Sequence, residues 1–271
     1  MMMDFDALFR QYLLAHMGNV EEKSEEELDD LAGELYHAFV HTPLPELDGN
    51  SMEEYFTQMG TAALVEELFA YARSDMAAPE FLVAVLLERA ETEALLTEAL
   101  EDADVSPAEK AKAIPLLIVL ESHLPMETYL GLVTMEDTDT QLANLCAVAL
   151  VELGDPLAGV RAVDALPQME GEEGRMRLAD LASHFSAPGA FDAILPLFEG
   201  TPCAAYAQFL ARLGDERAVD SIKQAMMHPQ VGYLDYIAMR DAVESLGEEI
   251  DLDREFSGDT DFEYLKTRVE E

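Results

Sequence analysis

The chain of 271 residues has no tryptophan, only two cysteines, and 16 basic residues against 56 acidic ones. Its formal charge of −40 argues against the clusters of Lys and Arg that neutralise phosphate groups. We therefore expect no nucleic-acid partner and no binding to anionic membrane surfaces. Two cysteines are too few for a disulfide framework. No apolar run reaches the roughly 18 residues that a transmembrane helix needs, so no membrane contact is expected.

The N-terminal sequence, MMMDFDALFR, is acidic and lacks the basic start of a secretory signal peptide. A cytoplasmic protein is therefore expected. Hydrophobic residues make up 49% of the chain, enough to build a sizeable core, which excludes disorder along the whole length. Cys146 lies in an apolar run and is interpreted as a small core residue.

Apolar residues recur at helical spacing along the chain, and no segment shows the sustained alternation of a strand. Ser24, Ser51 and Ser106 each precede a glutamate by three residues, which is the capping-box pattern of a helix start. Thr201-Pro202 predicts another start, and Gly131 predicts a helix end. These signals predict an all-α chain of about fifteen helices, each roughly 8 to 18 residues long.

A helix–turn–helix pattern repeats in the second part of the chain. The clearest copies run from Leu145 to Leu166 and from Tyr206 to Met226, each with a Leu-Gly-Asp turn between apolar helices. Weaker copies place the turn at Leu124, Phe185 and Leu246, giving spacings of 28 to 33 residues. In such a turn, glycine supplies the left-handed conformation and aspartate caps the next helix. Each helix pair has an apolar face that only a neighbouring pair can bury, so the copies should stack.

Two segments, Leu153-Gly154-Asp155-Pro156 and Leu213-Gly214-Asp215-Glu216-Arg217-Ala218-Val219, resemble HEAT-like repeats. They are most similar to the short bacterial type shared with phycobiliprotein lyases. The resemblance implies a right-handed α-α superhelix, or solenoid, whose second helices line a concave surface. It also implies a scaffold or binding role far more often than catalysis, and we expect no cofactor. The weaker copies depart from the pattern, because the Phe185 turn lacks Gly-Asp and the Leu124 turn has a proline instead.

Three regions are expected along the chain. Residues 1–75 do not fit the repeat and are interpreted as an N-terminal helical cap or subdomain. Residues 76–250 contain the HEAT-like repeats. Residues 251–271 are strongly acidic and form either a polar capping helix or a partly disordered tail.

The acidic excess is spread evenly, since residues 1–135 carry 28 acidic and 6 basic side chains and residues 136–271 carry 28 and 10. We interpret the chain as a non-enzymatic scaffold that binds a protein or peptide, with its negative potential attracting a basic partner. The oligomeric state stays open. The predicted contact residues all lie on second helices: Glu127, Arg161, Asp164, Asp192, Arg217, Asp220 and Lys223. Alternatively, Arg161, Arg217 and Lys223 form salt bridges to Asp164 and Asp220.

Two other hypotheses remain. His37 and His41 lie four residues apart on one helix, which is a spacing of paired metal ligands, with Glu34 a turn earlier. A metal-binding or lyase-like enzyme could use these histidines and nearby carboxylates, although the H-E-x-x-H pattern is missing. The acidity could instead be an adaptation to a salty cytoplasm, in which case it carries no information about a partner.

Overall fold

The computed structural model describes residues 3–16, 24–250 and 254–269. Within these ranges it has sixteen α-helices of 7 to 16 residues, two short 3-10 helices and no strand. The prediction of an all-α chain is therefore confirmed. The chain forms two compact units, Met1–Pro125 and Met126–Glu271, termed below the N-terminal unit and the C-terminal unit.

Seven of these helices belong to the N-terminal unit: α1 (Phe5–His16), α2 (Glu25–Val40), α3 (Met52–Gln58), α4 (Thr61–Arg73), α5 (Glu80–Leu87), α6 (Thr92–Glu101) and α7 (Pro107–Val119). Aromatic rings join α1 to α2, where the ring of Phe9 lies 5.1 Å from that of Tyr36 and 5.4 Å from that of Phe39. The helix α4 packs against α5, α6 and α7. The boundary expected after residue 75 stays a prediction.

The three predicted capping boxes of the N-terminal unit are confirmed. At Ser24, Ser51 and Ser106 the side chain accepts a hydrogen bond from the backbone of the glutamate three residues on, and that glutamate accepts one in return. One of these glutamates, Glu109, also accepts a hydrogen bond from Arg73 Nη1 at 2.5 Å. It thereby joins the start of α7 to the end of α4.

The C-terminal unit contains nine of the described helices: α8 (Met126–Thr134), α9 (Thr140–Glu152), α10 (Leu157–Ala165), α11 (Glu172–His184), α12 (Ala190–Gly200), α13 (Ala204–Leu213), α14 (Ala218–Met226), α15 (Tyr233–Ser245) and α16 (Thr260–Val269). Apart from α9 and α10, consecutive helices pack against each other, and so do alternate ones from α8 to α15. The series α9, α11, α13, α15 forms one layer, and α10, α12, α14 forms a second. These are termed the first-helix layer and the second-helix layer.

The Leu-Gly-Asp turns take the predicted form. Gly154 and Gly214 have positive φ angles of 71° and 68°, which glycine adopts without the penalty a Cβ would bring. Asp155 and Asp215 each accept a hydrogen bond from the backbone N–H two residues on, at the start of the next helix. The predicted glycine turn is therefore confirmed in both clear copies. The aspartates precede the N-cap positions, which Pro156 and Arg217 occupy without a side-chain cap.

Three local predictions were wrong. The turn that follows α7 has its positive φ at Glu121, not near Leu124, whereas the turn after α11 has it at Ser186, directly after the predicted Phe185. Gly131 lies inside α8, which continues to Thr134. Thr201 does not cap α13, because that helix begins two residues after Pro202 and Thr201 instead ends α12.

The acidic C-terminal segment contains a helix. Residues 251–253 lie outside the described residues, but α16 packs against α15 through a cluster of aromatic rings. Phe256 is 7% exposed, and its ring lies 5.1 Å from that of Tyr233 and 5.0 Å from that of Tyr236. Of the two expectations for this segment, the capping helix agrees with this packing.

Three first-helix starts in the C-terminal unit have no cap of their own and receive a carboxylate from elsewhere in the chain. The N–H of Gly171, before α11, donates to Glu136 at 2.9 Å, and the N–H of Ala204 in α13 donates to Asp235 at 3.0 Å. The N–H of Tyr233 in α15 donates to Asp259 at 3.1 Å. Each carboxylate also faces the positive end of a helix dipole. Part of the acidic excess therefore holds the helices in place.

Across the described ranges, no helix is both long enough and apolar enough to cross a membrane.

Candidate functional site

The C-terminal unit has an open groove of about 850 Å³ across α9, α11 and α13. All of its lining residues belong to the first-helix layer. Val148 is the most exposed apolar residue of the groove, at 51%. Its apolar lining is Ala147, Val148, Val151, Met176, Leu181 and Phe209, and its polar lining is Thr140, Asn144, Glu152, Glu172, Glu173, Arg177, Asp180, His184 and Arg212.

Hydrogen bonds between stacked helices fix the walls of the groove. Thr140 Oγ1 donates to Glu173 Oε2 at 3.2 Å, and Arg177 Nη1 donates to Asn144 Oδ1 at 3.1 Å, both across 33 residues of sequence. Arg212 Nη1 bonds to Asp180 Oδ1 at 2.7 Å, across 32 residues. The polar side chains around the apolar strip are thus held by the neighbouring helix.

The charges in the groove are unequal. Four carboxylates line it, at Glu152, Glu172, Glu173 and Asp180, against two guanidinium groups. Arg212 is ion-paired with Asp180. Arg177 is not ion-paired to any residue that the structure describes, and its Nε is buried without a hydrogen-bond partner. Burial lowers the pKa of Arg177, against the opposing effect of nearby carboxylates such as Glu173.

The seven contact residues predicted from the sequence lie outside this groove. Glu127 is on α8, five others are on the three helices of the second-helix layer, and Arg217 is the residue immediately before α14. Arg161 and Asp164 line a shallower depression of about 270 Å³ together with Glu136. Their role as partner contacts stays a prediction.

The alternative pairing of the cationic residues was wrong, since Arg161 has no ion pair among the described residues and the other two cations pair elsewhere. Arg217 pairs with Asp215 at 2.6 Å and with Asp192 at 3.4 Å, and not with Asp220. Its guanidinium carbon also lies 4.1 Å from the ring centroid of Phe191. Lys223 pairs with Glu248 at 3.1 Å. The turn aspartate and residues outside α14 are closer to these cations than residues on their own helix face.

The two histidines considered as metal ligands are close together and exposed. The ring centroids of His37 and His41 are 4.7 Å apart, and His41 Nδ1 lies 2.7 Å from Glu53 Oε2. Within the described part of the chain, no three His, Cys, Asp or Glu side chains form a group that could hold a metal ion. The geometry of this pair fits a surface hydrogen bond between α2 and α3.

The residues of the groove were not identified from the sequence, although α9 carries a signal for them. Between Gln141 and Glu152 this helix has no charged side chain, and apolar residues occur on all of its sides. A helix with one buried face needs apolar residues on that face only. Val148 and Val151 are apolar residues beyond those that the buried face needs, and they line the groove. The unpaired Arg177 depends on contacts between helices and has no comparable sequence signal.

A scan against models of known protein families finds no match to this chain, and a search of curated proteins finds no relative. The similarity to HEAT-like repeats thus depends on the turn residues and their spacing.

Proposed function

We propose that the protein is a non-enzymatic scaffold that binds a basic amphipathic segment of another protein in the groove of the first-helix layer. The observation that carries this proposal is the exposed apolar strip, with Val148 at 51% exposure, inside a groove with four carboxylates. An apolar strip gives the area that binding buries. Carboxylates beside it favour Lys and Arg on the partner.

The architecture we propose is a right-handed HEAT-like solenoid. Its support is the packing of alternate helices in the C-terminal unit and the hydrogen bonds that recur across 31 to 33 residues. Such a stack presents a long surface made of equivalent helices. The groove favours the first helices as the binding layer, in place of the second helices that the resemblance implies.

The size of the groove suits a helical segment. Three stacked helices at about 8–10 Å between axes span roughly 16–20 Å. A helix of about 18 residues is roughly 27 Å long and would cross all three. Binding of an amphipathic helix in an apolar groove is a common mode of peptide recognition.

The test uses two synthetic helical peptides of about 18 residues with the same leucine face. One has lysines on the polar face and the other has glutamates, and each carries a fluorophore for anisotropy. We expect binding of the lysine peptide only, weakening as salt is raised because exposed charges are screened. Equal binding of both peptides, or binding that does not change with salt, contradicts a basic partner.

Matched variants locate the site. Val148→Gln removes an apolar contact in the groove, and Val160→Gln makes the same change at a valine that is 40% exposed on α10. We expect Val148→Gln to weaken binding about tenfold, the equivalent of about 1.4 kcal/mol of apolar burial, and Val160→Gln to leave it unchanged. The reverse result would place binding on the second-helix layer, where Arg161, Asp164 and Arg217 lie.

A further inference from the structure

Arg177 differs from the other arginine of the groove. Arg212 has its charge balanced by Asp180 at 2.7 Å. The only hydrogen bond of the Arg177 side chain to a described residue goes to the neutral amide of Asn144. Its Nε is buried and has no hydrogen-bond partner. A guanidinium has five N–H donors, so most of them have no protein acceptor.

A half-buried cation without an ion pair is a costly arrangement, because burial removes water while the nearby carboxylates stay beyond ion-pair distance. Four carboxylates line the same groove, yet none lies within ion-pair distance of Arg177 among the described residues. The apolar residues around it, Val148 and Met176, lower the local dielectric once an occupant excludes water. A carboxylate placed there would interact with the guanidinium more strongly than at an exposed site.

We infer that Arg177 is a specificity-determining residue that binds one carboxylate located on the apolar face of the occupant. This inference rests on the proposed function and adds the chemistry of the partner. The partner segment is basic overall, which matches the carboxylates of the groove, and carries a single Asp or Glu among its apolar side chains. The planar fork of the guanidinium fits a carboxylate through two parallel hydrogen bonds.

The test extends the lysine–leucine peptide. Because the register of the peptide in the groove is not fixed in advance, single glutamates replace each leucine of the apolar face in turn, and a matching series carries glutamine. Binding of both series is measured to the wild-type protein, to Arg177→Met and to Arg161→Met. Methionine keeps an unbranched apolar chain and removes the charge. Arg161 is exposed on α10 and serves as the matched control.

For one position of the series, we expect the wild-type protein to bind the glutamate peptide at least about tenfold more tightly than the glutamine peptide, as for a charge-assisted pair. Arg177→Met should abolish that preference, Arg161→Met should retain it, and Arg177→Lys should keep only part of it. Circular dichroism and thermal unfolding establish that each variant is folded.

The outcomes separate the two proposals. If the parent lysine peptide fails to bind, the proposed function fails. If it binds, and glutamate is disfavoured at every position or is preferred equally by Arg177→Met, the groove binds basic segments without a carboxylate contact, and this inference is wrong.

Discussion

Three helices in each unit start in different ways, although α9 of the C-terminal unit has a local cap at Asp139. In the N-terminal unit, α2, α3 and α7 are capped by the serine that immediately precedes them and by a glutamate three residues on. In the C-terminal unit, α11, α13 and α15 receive their acceptors from residues 26 to 35 positions away. A local cap stabilises one helix, whereas a distant one also fixes the position of another segment. The C-terminal unit therefore gains positional order from the same carboxylates that give the chain its charge.

The largest expected contrast between the units concerns two helical glycines. A Cβ on Gly159 of α10 would lie 2.7 Å from Phe185 Cβ, whereas a Cβ on Gly33 of α2 would meet nothing within 4 Å. We expect Gly159→Ala to destabilise the protein by about 1–3 kcal/mol through overpacking. Gly33→Ala should stabilise it by about 0.5–1 kcal/mol, because alanine favours the helix. Denaturant unfolding measures both, and a neutral Gly159→Ala would mean that the helices can separate at little cost.

A smaller effect tests the two kinds of cap directly. Ser51→Ala removes a local cap and Asp235→Ala removes a distant one, and each should cost about 1 kcal/mol. The two variants should differ in where along the chain amide hydrogen exchange becomes faster. Ser51→Ala should speed exchange at the start of α3, next to the substitution.

For Asp235→Ala, the faster exchange should appear at Ala204 and the first turn of α13, 31 residues earlier in the chain. A change restricted to α15, where Asp235 itself lies, would show that the distant cap contributes nothing to α13.

The smallest effect is the dependence of these caps on pH. Hydrogen bonds from the backbone N–H groups of Phe262 and Tyr233 lower the pKa of Asp259. Burial alone would raise the pKa of Glu109, but hydrogen bonds from Ser106 and Arg73 hold it below its usual range. A carboxylate with a lowered folded-state pKa stabilises the protein above the unfolded-state pKa of about 4, and this contribution is lost as the pH falls through the folded-state value.

Asp259→Asn and Glu109→Gln isolate these contributions from the other acidic groups. Each variant should be less stable than the wild type at pH 7, and the difference in unfolding free energy should shrink between about pH 5 and pH 3. A difference that is constant over this range would show that the charge of these carboxylates does not contribute.

Sequence reasoning succeeded where a structure is encoded locally. The serine caps and the turns at Gly154 and Gly214 depend on residues within a few positions of each other, and they were located correctly. The turn after α7 was misplaced, because its left-handed residue is Glu121, a type that gives no sequence signal for that conformation. The start of α13 was misplaced because its acceptor is the distant Asp235.

The candidate site was harder to predict for the same reason. The apolar excess of α9 is visible in its sequence, but the groove exists only because α9, α11 and α13 lie side by side. Whether Arg212 or Arg177 is ion-paired depends on which residue of the adjacent helix faces it. A period of about 30 residues predicts that helices stack, but it does not specify these pairings.

The distant caps determine the order in which helix starts are completed during synthesis. The amide of Gly171 donates to Glu136, which leaves the ribosome first. The acceptor for the start of α11 is therefore present as soon as that helix forms. Ala204 precedes Asp235 by 31 residues, and Tyr233 precedes Asp259 by 26. During N-to-C translation, α13 and α15 therefore emerge before the carboxylates that accept from their first amides, which water can hydrate until then. These two starts in the nascent C-terminal unit therefore mature with a lag of 31 and 26 residues, and α15 is completed only when the acidic C-terminal segment has been made.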